Sequence, residues 1–166
     1  MSCATQRSCG TSAQDGMSTP NRRDASQRSQ ATRRVLWLLA SVSGIIGAYA
    51  YGAPHSFYRH VIGVRLLGPY NEHLMSDVGG LYLGFAIAFT FAARTLVREV
   101  VVASSAAFAV ARAAHFLGHA LHLEPFTLEE GAAQTIGLAA LLALPLVVLC
   151  LSRDGRTHRS RKQTLG

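Results

Sequence analysis

Cysteine, charge and the short motifs of common enzymes are all scarce in this sequence. It has three cysteines in 166 residues, and no two of them have the spacing of a metal-binding or redox pair, so we expect no disulfide framework. A glycine-rich phosphate loop and the nucleophile elbow of hydrolases are also missing. These absences exclude catalysis that depends on such motifs. The informative features are the hydropathy of the chain and the few polar residues within its apolar runs.

Charged residues make up only 15% of the chain and gather at its ends and between apolar runs. A soluble domain would spread its charges along amphipathic elements, so this distribution indicates a membrane protein. The net charge of +7 lies mostly in two tails, where no aromatic residues interleave with the basic ones. Contact with anionic lipid is therefore expected, and nucleic-acid binding is not.

Four apolar runs are long enough to cross the ~30 Å hydrocarbon core of a bilayer as helices. They are residues 35–51, 72–93, 100–123 and a run that follows 127–130 and ends at 151. Between the first two, residues 52–70 are amphipathic and too polar to span, as in helices that lie on a membrane surface. The sequence thus predicts an all-α fold, a four-helix transmembrane bundle with a short interfacial helix between the first and second spans.

Two tails flank this transmembrane domain, which covers residues 35–151. Residues 1–34 carry almost no large apolar side chains and cannot offset the entropy cost of ordering, so we expect a disordered basic tail. The same reasoning predicts a second basic tail over residues 152–166. Helix starts are clearer: Asn71 suits an N-cap followed by Glu72, and Thr127 with Glu130 forms a capping box.

A stripe of ionisable residues on the third span is the strongest functional signal. Residues three and four apart share a helix face, and such groups are costly inside a membrane unless they face the bundle interior. The stripe consists of Arg112, His115, His119 and His122. On the second span, His73 and Asp77 have the same i, i+4 spacing at a similar depth. The sequence therefore predicts an outward-facing polar cluster between these spans.

Packing between the second and third spans follows from the same residues. Gly80 and Gly84 form a GxxxG pattern, which allows two helices to approach closely. A buried carboxylate needs a cationic or hydrogen-bonding partner, so Asp77 is expected within reach of the third span. The candidate partners are Arg112, His115 and His119.

Three uses fit this cluster, beside a purely structural one. A divalent metal could be held by His73, Asp77, His115 and His119. A haem could take His115 and a histidine of another helix as axial ligands. The groups could also relay protons or bind the polar head of a lipid or quinone. In the structural alternative they only lock the helices together, in a polar network that includes Glu72, Arg112 and His122.

Two blocks of residues resemble a known group of proteins. The run Gly68-Pro69-Tyr70-Asn71-Glu72-His73-Leu74 is followed by Asp77-Val78-Gly79, and later by His115-x-x-x-His119-x-x-His122-Leu123. These blocks resemble small uncharacterised multi-pass membrane proteins, mainly from actinobacteria, and the layout of residues 35–151 is similar to that of the DoxX-like four-helix membrane proteins. The resemblance implies a fold and a membrane location, without an activity.

Two functional classes follow from these observations. The first is a non-enzymatic integral membrane protein with a polar or metal-binding site, able to serve as an accessory subunit and to form homo- or hetero-oligomers through its spans. The alternative is a small membrane oxidoreductase or redox subunit that uses metal, haem or quinone.

The distribution of basic residues predicts the orientation in the plasma membrane. Thirteen of the sixteen Arg and Lys residues lie before the first span, between the second and third spans, or after the fourth. By the positive-inside rule both termini are cytoplasmic. Alkaline phosphatase, which is active only outside the cytoplasm, should therefore be inactive when fused after Leu151, whereas strong activity at that junction would reverse the topology.

Overall fold

The computed structural model describes residues 22–66 and 68–163, and these contain six helices and no strand. The helices are α1 (Arg22–Gly52), α2 (Pro54–His60), α3 (Ile62–Arg65), α4 (Glu72–Thr95), α5 (Arg98–Ala120) and α6 (Leu128–Gln163). In the described part, α1, α4, α5 and α6 are long and apolar enough to cross a membrane. The prediction of an all-α, four-helix transmembrane bundle is confirmed.

Each long helix presents large apolar side chains to the outside of the bundle. Ile45, Ile87, Val110 and Ile136, one on each of the four, are 70–72% exposed. A soluble protein rarely leaves so much apolar surface in water, whereas lipid tails solvate it without cost. The protein is therefore built as an integral membrane protein.

The first and last helices, α1 and α6, extend beyond the predicted spans. α1 begins at Arg22 and α6 continues to Gln163, so helix replaces the disorder expected for residues 22–34 and 152–163. Adding residues to an existing helix avoids the cost of nucleation, and both segments contain good helix formers such as Arg, Gln and Ala. The predicted tails otherwise fall on residues 1–21 and 164–166, outside the described part of the chain.

The interfacial segment forms two short helices where one was predicted. Pro54 occupies the first position of α2, which suits its fixed backbone, and Val61 adopts an extended conformation that separates α2 from α3. Phe57 is buried in a small apolar cluster with Ala50 of α1 and Met75 of α4. This contact fixes the segment against the C-terminal end of α1 and the N-terminal end of α4.

The predicted caps are confirmed in atomic detail. The Leu74 backbone N–H donates to Asn71 Oδ1 at 3.0 Å at the start of α4. Before α6, the Thr127 N–H donates to Glu130 Oε2 at 3.0 Å, and the Glu130 N–H donates back to Thr127 Oγ1 at 3.3 Å. These bonds satisfy backbone donors that the first turn of a helix leaves free.

The closest helix approach joins α1 to α4 through glycine. A Cβ at Gly47 would lie 2.8 Å from the Leu83 backbone nitrogen, and one at Gly79 would lie 2.6 Å from that of Tyr51. Neither site can hold a side chain unless the backbones move apart. α1 and α4 therefore form the tightly packed pair of the bundle, and α5 and α6 complete the ring, each packed on the other.

The GxxxG pattern plays a different part from the one predicted. A Cβ at Gly80 or Gly84 would meet no atom within 4 Å, so these glycines do not bring α4 close to α5. Aromatic rings hold those two helices instead: Phe108 of α5 lies 5.0 Å from Phe85 and 5.2 Å from Phe89, edge to face, between ring centroids. Rings of this size separate the helix axes and leave an open groove beside the glycines.

Two neighbouring glycines of α4 give a matched stability test. Gly79→Ala should lower the free energy of unfolding by roughly 1–3 kcal/mol, because the new methyl group overlaps the Tyr51 backbone. Gly80→Ala should leave it unchanged or raise it by up to about 1 kcal/mol through helix propensity. Titration with SDS in mixed micelles measures both, and equal losses for the two variants would contradict the packing described.

Candidate functional site

The stripe on α5 is shorter than predicted. Arg112, His115 and His119 lie on one face, and the ring centroids of His115 and His119 are 4.5 Å apart. The helix ends at Ala120, however, so His122 belongs to the following turn, where its Nδ1 pairs with the Gly118 carbonyl oxygen at 2.8 Å. His122 is exposed there and does not contribute to the helical stripe.

His119 is tied to α6 by a hydrogen bond that the sequence did not indicate. The side-chain amide of Gln134 lies against His119 Nδ1, so this imidazole nitrogen is occupied by α6. This bond orients the ring and leaves Nε2 available to a further hydrogen-bond partner.

These residues line a pocket between α5, α6 and the interfacial segment. Its volume is about 500 Å³. Its wall is largely aliphatic, with the polar groups of His115, His119 and Gln134 and, from the first turn of α6, two carboxylates. The remaining lining residues are Val61, Gly63, Val64, Glu129, Glu130, Ala133 and Leu138. We call this cavity the histidine pocket.

The interfacial helix α3 forms one wall of the histidine pocket at a glycine. A Cβ at Gly63 would lie 2.9 Å from the Gln134 side-chain carbon Cδ, so a larger residue at this position would have to displace the Gln134 side chain. His115 itself is exposed, and it lies about 7.5 Å below the end of α5. The pocket is thus flanked by α3 and open to the outside of the bundle beside His115.

Arg112 lies one turn deeper than His115 and faces α4. Its Nη1 donates to the Tyr82 hydroxyl, and its guanidinium carbon is 4.7 Å from the Tyr82 ring centroid and 5.2 Å from that of Phe108. Cation–π contacts of this kind stabilise a desolvated cation by about 2 kcal/mol. Arg112 is therefore held by a hydroxyl and two aromatic faces, with its buried Nε atom lacking a hydrogen-bond partner.

Asp77 lies apart from the third-span residues with which it was expected to pair. Its Oδ2 is 3.4 Å from His73 Nε2, within α4, and the two side chains are 59% and 88% exposed. In the described part of the chain, no hydrogen bond or ion pair joins Asp77 to Arg112, His115 or His119. The expected partnership is thus replaced by a local pair on the outside of the bundle.

The four predicted metal ligands consequently form two separate pairs, His73 with Asp77 and His115 with His119. Among the residues that the structure describes, no group of three or more His, Cys, Asp or Glu side chains could hold a metal ion. The four-residue metal site stays a prediction. Glu72, predicted as part of the polar network, is exposed at the first position of α4.

Three residues that position the site were missed by the sequence reasoning: Gly63, Tyr82 and Gln134. Gln134 carried a usable signal, because an amide in an otherwise apolar span needs a partner. Tyr82 lies at the depth of Arg112 on the neighbouring span, but aromatic residues are so common in apolar runs that it did not stand out. Gly63 had no signal, since only the closeness of Gln134 reveals its role.

Comparisons with protein-family models, with curated proteins and with solved structures found no match. The resemblance to DoxX-like membrane proteins therefore stays a prediction. What the chain does must be inferred from the geometry of its own residues, and the histidine pocket is the cavity where polar groups converge.

Proposed function

We propose that this protein is a non-enzymatic, multi-pass protein of the plasma membrane that binds a small lipid-soluble ligand in the histidine pocket. The observation that carries the proposal is the pocket itself, in which His115, His119 and Gln134 converge on an otherwise mostly aliphatic cavity. A volume of about 500 Å³ lies within the range of small-molecule sites. Such a site suits an apolar molecule with a hydrogen-bonding head.

The position of the pocket supports entry of the ligand from the lipid. The exposed His115 opens the cavity on the flank of α5, while Val61, Val64 and Leu138 offer apolar contact to the body of a ligand. The Nε2 atom of His119, which the Gln134 amide leaves unoccupied, can form a hydrogen bond with a carbonyl or hydroxyl group of the head. A ligand that arrives from water would instead have to pass the carboxylates of the first turn of α6.

Quinones belong to this ligand class. The alternative function, a redox subunit that uses quinone, would therefore use the same pocket. A quinone carbonyl accepts a hydrogen bond and its tail is apolar, so both parts match the lining. Binding without a redox centre would make the protein an accessory subunit that holds or presents the ligand. The DoxX-like resemblance and the cytoplasmic placement of both termini are consistent with this proposal and belong to it.

A divalent metal is the second candidate, favoured by the paired imidazoles of His115 and His119, 4.5 Å apart between centroids. Two histidines spaced i, i+4 are a common half of a metal site. The remaining ligands would have to come from water or from the carboxylates that line the pocket, which do not form a three-ligand group with the histidines in the described chain.

Ligand retention tests the proposal directly. Protein purified in mild detergent should release a lipid-soluble compound into an organic extract, detected by mass spectrometry. His119→Ala should reduce its amount about tenfold, because a lost hydrogen bond to a buried polar head costs about 1–3 kcal/mol. Gly63→Leu should abolish retention, because the new side chain enters the pocket beside Gln134.

Gly137→Leu is the matched control, since a Cβ at Gly137 of α6 meets no atom within 4 Å. This variant should retain the compound like the wild-type protein. An extract of wild type indistinguishable from that of Gly63→Leu would contradict the proposal. Stoichiometric zinc or another divalent metal, lost in both His115→Ala and His119→Ala, would replace it with the metal site.

A further inference from the structure

A groove follows the flank of α4, beside the contact of this helix with α1. Its volume is about 470 Å³, and its lining residues recur at helical spacing: Leu83, Ala86, Ile87, Thr90, Phe91 and Arg94. Leu83 lies against α1, since a Cβ built at Gly47 would be 2.9 Å from Leu83 Cγ. The Thr90 hydroxyl donates to the Ala86 carbonyl oxygen at 2.7 Å and presents no free donor. Among the described residues that line the groove, Arg94 alone is charged, and it lies at one end.

The groove has the length of one leaflet of a bilayer. Arg94 and Leu83 are eleven residues apart, which is about 16 Å along a helix. The hydrocarbon core is ~30 Å thick, so the groove runs from the last turn of α4 to near the middle of the membrane. An acyl chain matches this length and this apolar lining, whereas a transmembrane helix of a partner would follow the whole span.

The charged end of the groove belongs to a basic patch, which consists of Arg33, Trp37 and Arg94. The Arg94 guanidinium carbon is 6.0 Å from the centroid of the Trp37 ring of α1, a cation–π contact. Arg33 precedes Trp37 by four residues, so the two share one face of α1. All three side chains are exposed, and in the described part of the chain no ion pair joins either arginine to a carboxylate. The patch therefore offers positive charge to a ligand in the groove.

We propose that an anionic phospholipid binds here, with one acyl chain in the groove and its phosphate group at the basic patch. Guanidinium groups donate paired hydrogen bonds to phosphate oxygens. Tryptophan is enriched at the depth of the headgroups, so Trp37 lies where the phosphate and the acyl chain meet. Such a site holds one lipid at a fixed place, unlike the diffuse attraction between basic tails and a charged membrane surface.

Charge and length together decide between this lipid and other occupants. A second copy that docked through the same face, about a two-fold axis along the membrane normal, would bring Arg94 opposite Arg94. A zwitterionic phospholipid carries a cationic group that two arginines repel. A free phosphate ion would leave the apolar part of the groove empty. The groove between α4 and α5 offers no such site, because Glu99 lines it and, among the described residues, no basic side chain does.

Trp37, the single tryptophan of the chain, reports on this site in the full-length protein. Bromine atoms on an acyl chain quench tryptophan fluorescence only at close range. The protein would be placed in liposomes of phosphatidylglycerol and phosphatidylcholine, with bromine either on the phosphatidylglycerol or on an equal amount of the phosphatidylcholine. The apparent affinity for phosphatidylglycerol at Trp37 should exceed that for phosphatidylcholine about fivefold, and the excess should shrink in about 1 M salt.

Charge variants separate the basic patch from the overall charge of the protein. Arg94→Gln should reduce the preference for phosphatidylglycerol to about twofold or less, and Arg33→Gln gives the same test independently. Arg153→Gln is the matched control, because it removes an equal charge from an exposed position on α6 at the same end of the bundle. This variant should keep the preference of the wild-type protein.

A second reporter position tests whether the acyl chain lies in the groove. In a Trp37→Phe background, which keeps an aromatic ring beside Arg94, Ile87→Trp places the fluorophore in the groove. The preference for phosphatidylglycerol should persist there. Val110→Trp on α5 is the control, because Val110 is 71% exposed against 72% for Ile87 and does not line the groove. Both lipids should quench it equally.

Three results would overturn the proposal. Equal quenching of wild-type Trp37 by the two brominated lipids would mean that no selective site exists. A preference that survives in folded Arg94→Gln and Arg33→Gln, or that falls as far in Arg153→Gln, would assign it to overall charge. A preference absent at Ile87→Trp, or equally strong at Val110→Trp, would remove the acyl chain from the groove. Circular dichroism of each variant establishes that it is folded.

Discussion

The close backbone contact between α1 and α4 at Gly47 and Gly79 is the constraint on which the rest of the structure depends. Between helices in lipid the hydrophobic effect gives no attraction, because lipid tails are as apolar as the side chains, so association relies on van der Waals contact and polar bonds. Glycines at the crossing let the backbones meet over a long stretch. This pair fixes the direction of the remaining faces of α4.

Because the contact with α1 fixes the rotation of α4, the polar residues Asp77 and Tyr82 of this helix point in different directions. Tyr82 turns towards α5 and meets Arg112, while Asp77 turns outward beside the open groove. The two positions differ by five residues, which is about 140° around a helix, so they cannot share a face. Arg112 therefore obtains its stabilisation from a hydroxyl and aromatic rings, and no carboxylate is needed at that depth.

The different directions of these side chains explain why the predicted cluster of His73, Asp77, His115 and His119 is found as two separate pairs. His115 and His119 turn towards α6, where Gln134 and Gly63 complete a pocket beneath the interfacial segment. His73 and Asp77 stay on the outside of α4. The first pair lines a pocket and the second is exposed on α4, so the two pairs do not form one site.

Much of the fold could be predicted from the sequence, because hydropathy and caps are local properties. Asn71 and the Thr127–Glu130 box begin their helices as expected, and the four spans follow from length alone. The candidate site was less accessible. Periodicity shows that Arg112, His115 and His119 share a face, but it does not show which neighbouring helix covers that face. Asp77 was predicted as their partner because it lies at a similar depth. The rotation of α4 turns its side chain away from α5 and so excludes this pairing.

The helical tails and the role of the glycines escaped prediction for related reasons. Composition favoured disorder before residue 35, yet an adjoining helix can propagate through a polar segment once it is nucleated. The GxxxG pattern predicted that Gly80 and Gly84 form the close helix contact. That contact is instead made by Gly79, because its neighbour is the backbone of Tyr51. Such pairings between distant segments are set by the packed structure and leave no local pattern.

A pair of double-mutant cycles tests the separation of the His73–Asp77 pair from the His115–His119 pair most directly. The free energy of unfolding in mixed micelles would be measured for His119→Ala combined with Gln134→Ala and, separately, with Asp77→Asn. The account predicts a coupling of at least about 0.5 kcal/mol between His119 and Gln134, and a coupling within about 0.5 kcal/mol of zero between His119 and Asp77. A His119–Asp77 coupling as large as that of His119 and Gln134 would contradict it and restore a single His/Asp cluster.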